Sequence, residues 1–412
     1  MRTSLVLATV VTMGMLLCAS SLVATERSAP AVEVTPVVSG PLPVEKPLVQ
    51  IGILLDTSGS MSGLIDQART ELWSIVNEFI FAERNGVAPE VQVALYEYGK
   101  SSLAQDEGYI RQIVPLTTDL DKISEELFAL RTNGGSEYCG WVIQDATAGL
   151  AWSESPDDLK VIFIAGNEPF TQGPVDYRGA CKAAVARGII VNTIHCGTER
   201  QGVDGKWKDG AVIADGRYLN IDHNRQVVHI PAPQDTEIAE LGVRLNQTYI
   251  AYGRQGQILR ERQSVQDKNA AQASPEAAVQ RAVAKSSSNY INTTWDLIDA
   301  VLAEQVKVEE LKEEELPENM KPMNAEQQKA FVETKAKERS EIQSRIQKLN
   351  EQRRAFLAEE MKKRQAQGKD TLGSAVQQAI REQAQKKNYT FKDPENAAQN
   401  SGETCAKENG DN

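Results

Sequence analysis

The sequence predicts an α/β fold in which a doubly wound, mostly parallel sheet is followed by an α-helical, partly coiled-coil C-terminal region. Short apolar segments alternate with amphipathic helical segments up to about residue 222, and most of these apolar segments are nearly continuous. Strands that are apolar on both faces are typical of a parallel sheet covered by helices on both sides. Beyond about residue 253 glycine becomes scarce and Gln, Glu, Lys and Ala dominate, which favours helices.

The segment 48–253 supplies the elements of the predicted sheet domain and a C-terminal extension. Apolar residues predict a first strand at 48–56, and apolar side chains at helical spacing predict a long helix at 64–84. Further strands are predicted within 90–99, 109–117, 158–170, 189–197 and at the end of 206–221. Further helices are predicted within 120–130, 137–152, 177–188, at the start of 206–221 and within 232–253. This alternation predicts crossover connections and hence parallel strands.

The N-terminal residues 1–24 have the pattern of a secretory signal peptide. Arg2 precedes an uncharged apolar stretch at 5–17, and small residues follow it. The apolar stretch is short for a membrane span, although a retained N-terminal anchor is the alternative. Residues 25–47 are rich in proline and small residues and predict an extended linker. We therefore expect an exported chain, in the periplasm, at the cell envelope or secreted, with no transmembrane segment after cleavage.

Length and charge limit the possible functions. The chain has 412 residues, enough for two or three domains, and its 57 acidic residues exceed its 45 basic residues. The resulting net charge of −12 argues against general nucleic-acid binding, which needs clustered Lys and Arg against phosphate.

The region 254–390 predicts a helical arm. Residues 324–367 contain almost no helix breaker, and a thin apolar stripe recurs at three- and four-residue spacing. The stripe consists of Ile342, Ile346, Leu349 and Phe356, with Arg353 at one position of the seam. Such a stripe is typical of a coiled coil, which could fold back on the 295–312 segment or associate with a second chain. The polar tail 391–412 predicts disorder.

An unusual cluster of oxygen-bearing side chains follows the first strand, in the sequence "ILLDTSGSMSG" at 53–63. Asp56, Ser58 and Ser60 occupy alternate positions, so a tight loop can direct all three side chains to one point. Ligands of α/β sheets bind beyond the carboxyl ends of the strands, which is where Asp56 lies. A carboxylate with two hydroxyls suits Mg²⁺, which accepts few protein ligands and keeps several waters. Alternatively, Asp56 and Ser58 only cap the following helix.

Two later segments of the chain accompany this motif. With the strand and helix order around it, "DTSGSMSG" together with "NGGSEYCG" and "VIFIAGNEPF" resembles the von Willebrand factor type A domain over about residues 48–222. The resemblance implies a Rossmann-like fold and a metal-ion-dependent adhesion site that holds Mg²⁺ or another divalent cation. It also implies a protein partner, often supplying a carboxylate to the open coordination position.

The resemblance also implies further metal ligands, and here the sequence departs from the family. The second loop usually carries a threonine, where this chain has Ser136, still a hydroxyl. The third loop usually carries an aspartate directly after the strand, where this chain has Gly166. Glu168 follows closely and is the predicted substitute, whereas Glu137 is another. The predicted metal site is therefore Asp56, Ser58, Ser60, Ser136 and Glu168.

Outside the leader the chain has four cysteines, at positions 139, 181, 196 and 405. Export permits disulfides, and a Cys181–Cys196 bond is the first choice because both residues are expected at the ligand-binding edge. Cys139 could replace either partner. The absence of a C-x-x-C pair argues against zinc, and a thiol enzyme would need His195 to meet Cys139 in space.

The sequence thus predicts an exported, non-enzymatic protein that mediates metal-dependent protein binding, adhesion or scaffolding at the cell envelope. One alternative is a structural assembly factor in which the helices matter and the metal site is vestigial. A thiol-dependent enzyme is the other. Metal-dependent binding of a partner distinguishes the first hypothesis from both alternatives.

Overall fold

A computed structural model describes residues 46–61, 65, 73–221, 230–365 and 372–391. The strands are β1 (Leu48–Asp56), β2 (Ala82–Glu83), β3 (Glu90–Tyr98), β4 (Ile110–Thr117), β5 (Leu159–Gly166), β6 (Ile189–Cys196), β7 (Tyr218–Ile221) and β8 (Thr390–Phe391). Six of them form one sheet in the order β4-β3-β1-β5-β6-β7, and β2 pairs with β8. Every pair in the large sheet is parallel except β3–β4. The predicted fold class is therefore confirmed.

Helices cover both faces of this sheet. Residues 73–78 are helical and form the described part of α1. The other helices are α2 (Leu120–Ala129), α3 (Cys139–Gly149), α4 (Tyr177–Ala186), α5 (Glu199–Asp204), α6 (Trp207–Ile213), α7 (Asp235–Asn246), α8 (Gly256–Ala273), α9 (Pro275–Lys285), α10 (Leu297–Leu302), α11 (Ala325–Gln365) and α12 (Leu372–Gln385). Because helices pack on both faces of the sheet, the alternation of strand and helix gives a layered α/β/α arrangement.

The alternation of side chains along β1 creates two separate cores. Val49, Ile51, Ile53 and Leu55 lie in a first core, which also contains side chains of α1, α2, α7, α9, α11 and α12. Leu54 lies in a second core with side chains of α3, α4 and α6. Because both cores are apolar, β1 is buried on both faces, as its continuous apolar sequence predicts.

The strand register brings three strand ends together at one edge of the sheet. Asp56, the last residue of β1, lies beside Tyr98, the last residue of β3. On the other side Leu55 lies beside Ala165, one residue before the end of β5. The loops after these strands therefore start next to each other, which is the geometry that a ligand site of this fold requires.

The C-terminal helices belong to the same compact unit as the sheet. The described residues from Lys46 onward form one unit, and the boundary predicted at residue 253 lies inside it. Ile342, Ile346 and Leu349 of α11 are buried in the first core, so the partner of the predicted stripe is this chain itself. Nearer its start α11 packs Val332 into a third core with residues of α10, as the fold-back on segment 295–312 predicts.

Two buried ion networks hold the C-terminal helices, and the first also reaches the sheet domain. In one, Arg281 and Lys285 of α9 contact Asp121 of α2 and Asp267 of α8. In the other, Arg339 of α11 bonds the carboxylates of Asp296 at 2.6 Å and Asp299 at 2.8 Å. Arg353, predicted at the seam of the stripe, is also buried and lies 2.7 Å from Asp235. The C-terminal helices are thus fixed by charges as well as by apolar contacts.

Some predictions lie outside the described residues. These are the signal peptide, most of the linker and the polar tail beyond residue 391. None of the helices in the described ranges is both long and apolar enough to cross a lipid bilayer.

The structure contradicts the predicted Cys181–Cys196 disulfide. Cys181, on α4, lies in the second core, whereas Cys196, at the end of β6, lies in the first core, on the opposite face of the sheet. Cys139, Cys181 and Cys196 are all buried, and none of these three forms a disulfide. Cys405 lies outside the described residues. The prediction placed both residues at the same edge but could not know that the sheet separates them.

Candidate metal centre

Asp56 lies at the centre of the candidate site. One carboxylate oxygen, Oδ1, accepts a hydrogen bond of 2.7 Å from the backbone N–H of Ser58, which closes the tight turn after β1. The other oxygen, Oδ2, is buried and has no hydrogen-bond partner among the described residues. Burial raises the pKa of Asp56 to about 7; the charge of Glu168 acts in the same direction, whereas hydrogen bonds from Ser58 oppose it. Capping therefore accounts for only one of the two carboxylate oxygens.

The two serines of the motif extend the oxygen cluster from Asp56. The hydroxyl oxygens of Ser58 and Ser60 lie 3.0 Å apart. Ser60 also donates a hydrogen bond of 3.1 Å to Oδ1 of Asn167, in the loop after β5. Ser58 is buried and Ser60 is exposed, so the cluster runs from the buried end of β1 to the surface. The structure thus brings these three predicted residues together.

Glu137, in the loop before α3, contributes a second buried carboxylate. It is 4% exposed, and its Oε2 has no hydrogen-bond partner among the described residues. Burial, with the charges of Asp56 and Glu168, raises the pKa of Glu137 to about 8, although a hydrogen bond from the Ser58 side chain acts in the opposite direction. Two acids therefore share a poorly solvated space, which a cation would stabilise.

Glycines allow this second loop to reach the end of β1. A Cβ on Gly99 would lie 2.6 Å from Cγ of Glu137 and 2.8 Å from Oδ1 of Asp56. A Cβ on Gly135 would lie 1.8 Å from the backbone oxygen of Gly99. Ser136 lies between Gly135 and Glu137 and is partly exposed. No hydrogen bond of its hydroxyl is described, so Ser136 is near the site without a fixed role in it.

The third loop offers no space for the aspartate that the resemblance implies. A Cβ on Gly166 would lie 2.6 Å from Oη of Tyr98, 3.0 Å from Trp207 and 3.3 Å from Cβ of Asp56. The Tyr98 hydroxyl donates a hydrogen bond of 3.0 Å to the backbone oxygen of Ala165. The tyrosine therefore fills the space beside Asp56 that a side chain at position 166 would need.

Glu168, the predicted substitute, is only partly buried. Its backbone oxygen accepts a hydrogen bond of 2.8 Å from Nε1 of Trp207. No hydrogen bond or ion pair of its carboxylate is described. Its charge raises the pKa of both Asp56 and Glu137, so it lies close enough to act on them electrostatically.

Glu97, a buried acid on β3, contacts the loop that carries Asp56 and Ser58. Glu97 accepts a hydrogen bond of 3.3 Å from the Thr57 hydroxyl and pairs with Arg111 at 2.6 Å. The Thr57 N–H donates a bond of 2.8 Å to the backbone oxygen of Tyr98. These contacts fix the loop between Asp56 and Ser58. Sequence reasoning missed Glu97 and Tyr98, because both resemble ordinary strand residues.

The composition of the site decides what it can bind. Within the described ranges, no three His, Cys, Asp or Glu side chains form a metal-binding group by themselves. A cation at Asp56 would therefore need serine hydroxyls and water as further ligands, which suits Mg²⁺. The two buried carboxylate oxygens without described partners fit such an ion.

The three described thiols are buried, and burial lowers their reactivity. Burial raises the pKa of Cys139 and Cys196 well above the usual range, and that of Cys181 to about 12. Such thiols stay protonated and are poor nucleophiles. His195 is buried, with Nδ1 3.1 Å from the Asn220 amide and its ring beside Trp207.

Several solved structures resemble this chain, all at low sequence identity. No protein-family model matches the chain, and no curated protein matches it. Solved structures that resemble it include BatB from Bacteroides thetaiotaomicron, at 18% identity and a TM-score of 0.33, covering 42% of this chain and 90% of that one. The SpRpn10 VWA domain resembles it at 20% identity and a TM-score of 0.34, covering 43% and 90%.

A third similar structure is proximal thread matrix protein 1 from the mussel byssus, with a zinc-occupied MIDAS motif. Its identity is 12% and its TM-score 0.32; the match covers 42% of this chain and 41% of the mussel protein. VWA domains are therefore among the structures that resemble this chain. At these values the comparisons assign it no function.

Proposed function

We propose that this chain is an exported, non-enzymatic protein that binds a divalent cation, preferably Mg²⁺. The bound cation then serves to bind another protein at the cell envelope. The observation that carries the proposal is the buried Oδ2 of Asp56, which has no partner among the described residues. An ionised carboxylate in such a place costs several kcal/mol unless a cation compensates it. The neighbouring serine hydroxyls provide further ligands of the kind that Mg²⁺ accepts.

Each residue of the site has a distinct role in this proposal. Asp56, Ser58 and Ser60 hold the cation, and Ser136 adds a hydroxyl from the second loop. A second carboxylate comes from Glu137 or Glu168. A partner protein supplies an oxygen to the remaining position, a carboxylate in the arrangement that the family resemblance implies. The cation makes such a contact favourable although the protein as a whole carries a charge of −12.

Two features support a binding role over catalysis. The three described thiols are buried and protonated at neutral pH, which disfavours the thiol-enzyme alternative. The site lies at the surface end of the sheet, where Ser60 is exposed and a partner can reach it. Export rests on the N-terminal signal-peptide pattern at 1–24.

Capture from envelope extract tests the function directly. The immobilised mature chain is incubated with extract in Mg²⁺ and in EDTA, next to an Asp56→Ala variant. Asp204→Ala is the matched control, since Asp204 is 72% exposed and pairs only with Arg200 at 3.6 Å among the described residues. A partner retained in Mg²⁺ by wild type and the control, and lost in EDTA and with Asp56→Ala, is expected. A partner that is retained in EDTA and also by Asp56→Ala would instead favour the assembly factor with a vestigial metal site.

A further inference from the structure

The buried acids of the site are distributed unequally between its loops. Glu137 is nearly as inaccessible as Asp56, whereas Glu168 is partly exposed. Cγ of Glu137 and Oδ1 of Asp56 both lie within 2.8 Å of the position that a Cβ on Gly99 would occupy. The two side chains therefore approach each other across a glycine that leaves room for both.

Ser58 lies in the same cluster as the two carboxylates. Its backbone N–H donates a hydrogen bond of 2.7 Å to Oδ1 of Asp56, and its hydroxyl lies 3.0 Å from that of Ser60. Each acid also retains one buried oxygen with no described partner. Two carboxylates and a hydroxyl that converge in this way present several oxygens to a single cation.

The backbone holds Glu137 in this position. Its N–H donates a hydrogen bond to Oε1 of Gln172, and its carbonyl oxygen accepts one of 3.2 Å from the N–H of Cys139. The residue thus stands at the fixed start of α3. Because its backbone is held from both sides, the buried side chain has little freedom to turn away from Asp56.

The loop after β5 is less suited to supply the second carboxylate. Tyr98 occupies the space next to Gly166, so no side chain can enter the site from the end of β5. Asn167 directs its Oδ1 to Ser60, and Glu168 follows one residue further along the loop. The charge of Glu168 acts on Asp56, but no contact of its carboxylate with the motif is described.

We propose that Glu137 is the second carboxylate that directly coordinates the cation, and that Glu168 contributes only charge from outside the coordination sphere. This inference rests on the proposed function, because it assumes that the site holds a cation. The second carboxylate ligand is then in the loop before α3, where Glu137 lies, and not in the loop after β5, where Glu168 lies. The charge of a divalent cation is then balanced by two carboxylates of this chain.

Calorimetric titration with Mg²⁺ and with Ca²⁺ tests the assignment on the full mature chain. Glu137→Gln and Glu168→Gln are a matched pair, since each removes one charge and keeps the shape of the side chain. Glu137→Gln is expected to weaken binding at least about tenfold, because affinity follows the number of charged ligands. Glu168→Gln is expected to weaken it less than about threefold, as a screened charge outside the coordination sphere does.

The outcomes separate this inference from the proposed function. If wild type binds and Asp56→Ala does not, but Glu168→Gln weakens binding as much as Glu137→Gln or more, the assignment is overturned and the proposed function stands. If wild type binds neither ion, both fail. Thermal unfolding in EDTA checks folding: Glu137→Gln should be at least as stable as wild type, because it removes a buried acid.

Discussion

Replacing Asp267 by Asn probes the ion network that fixes α8 and α9 to the sheet domain. Asp267 lies 2.8 Å from the ammonium of Lys285 and also bonds Nε of Arg281. Both cationic side chains are only 2% exposed. Asparagine keeps the shape of the side chain but removes its charge. Arg281 then keeps Asp121 at 2.8 Å, and Lys285 loses its carboxylate partner.

The expected cost follows from the structure in two ways. Removing one partner of a buried ion pair costs about 3–5 kcal/mol. Burial alone would raise the pKa of Asp267, but Lys285 and Arg281 outweigh it and lower the pKa from 3.8 to about 2. At about 1.36 kcal/mol per pKa unit, this difference corresponds to about 2 kcal/mol of stability at neutral pH. We therefore expect Asp267→Asn to lose about 2–5 kcal/mol.

The pH dependence has a definite sign. Because the folded pKa of Asp267 is lower than the unfolded one, its contribution is complete above about pH 4 and is lost as the pH falls towards 2. Urea unfolding at pH 7 and pH 3 measures the free energies, with Asp204→Asn as the exposed control. The control should change stability by at most about 0.5 kcal/mol. A change below about 0.5 kcal/mol for Asp267→Asn at pH 7 would refute the reasoning.

Three further predictions concern the site, the long helix and the thiols. Gly166→Ala should destabilise the protein by about 1–3 kcal/mol in thermal unfolding, and adding Tyr98→Phe should recover part of this, because the added Cβ meets the tyrosine hydroxyl; an unchanged Tm for Gly166→Ala would contradict the packing. Leu349→Asp should lower stability by more than about 2 kcal/mol without changing the mass measured by light scattering, since Leu349 is buried within its own chain; conversion of a dimer to a monomer would instead indicate an intermolecular seam. Peptide mapping without reduction should find Cys181 and Cys196 unlinked to each other, and a linked peptide pair would contradict their placement on opposite faces of the sheet.

The sheet was predictable because its signal is local and strong. A strand such as β1, apolar at nearly every position, must be buried on both faces, and that requirement implies helices on both sides. The packing of α11 was harder to predict. Its sequence has few large apolar residues, and Arg339 and Arg353 look solvent-exposed until Asp296 and Asp235 are seen beside them. The spacing of apolar residues does not reveal which charged residues are buried as ion pairs.

The same distinction holds for the site. Asp56, Ser58 and Ser60 lie within five residues of each other, so their convergence follows from one tight loop. The choice between Glu137 and Glu168 depends on how two distant loops pack, which the sequence alone leaves open. Tyr98 was missed because a tyrosine in a strand looks like a core residue. Gly166 was noted as a departure from the family, and the structure supplies the physical reason.

Binding of Mg²⁺ to the full mature chain is the measurement that tests the central claim most directly. Isothermal titration compares wild type with Asp56→Ala and with the exposed control Asp204→Ala, and circular dichroism checks that all three are folded. We expect one Mg²⁺ site in wild type and in the control, and none in Asp56→Ala, because the variant removes the buried carboxylate around which the serine hydroxyls are arranged. Equal binding by wild type and Asp56→Ala, or no binding by folded wild type, would contradict the account.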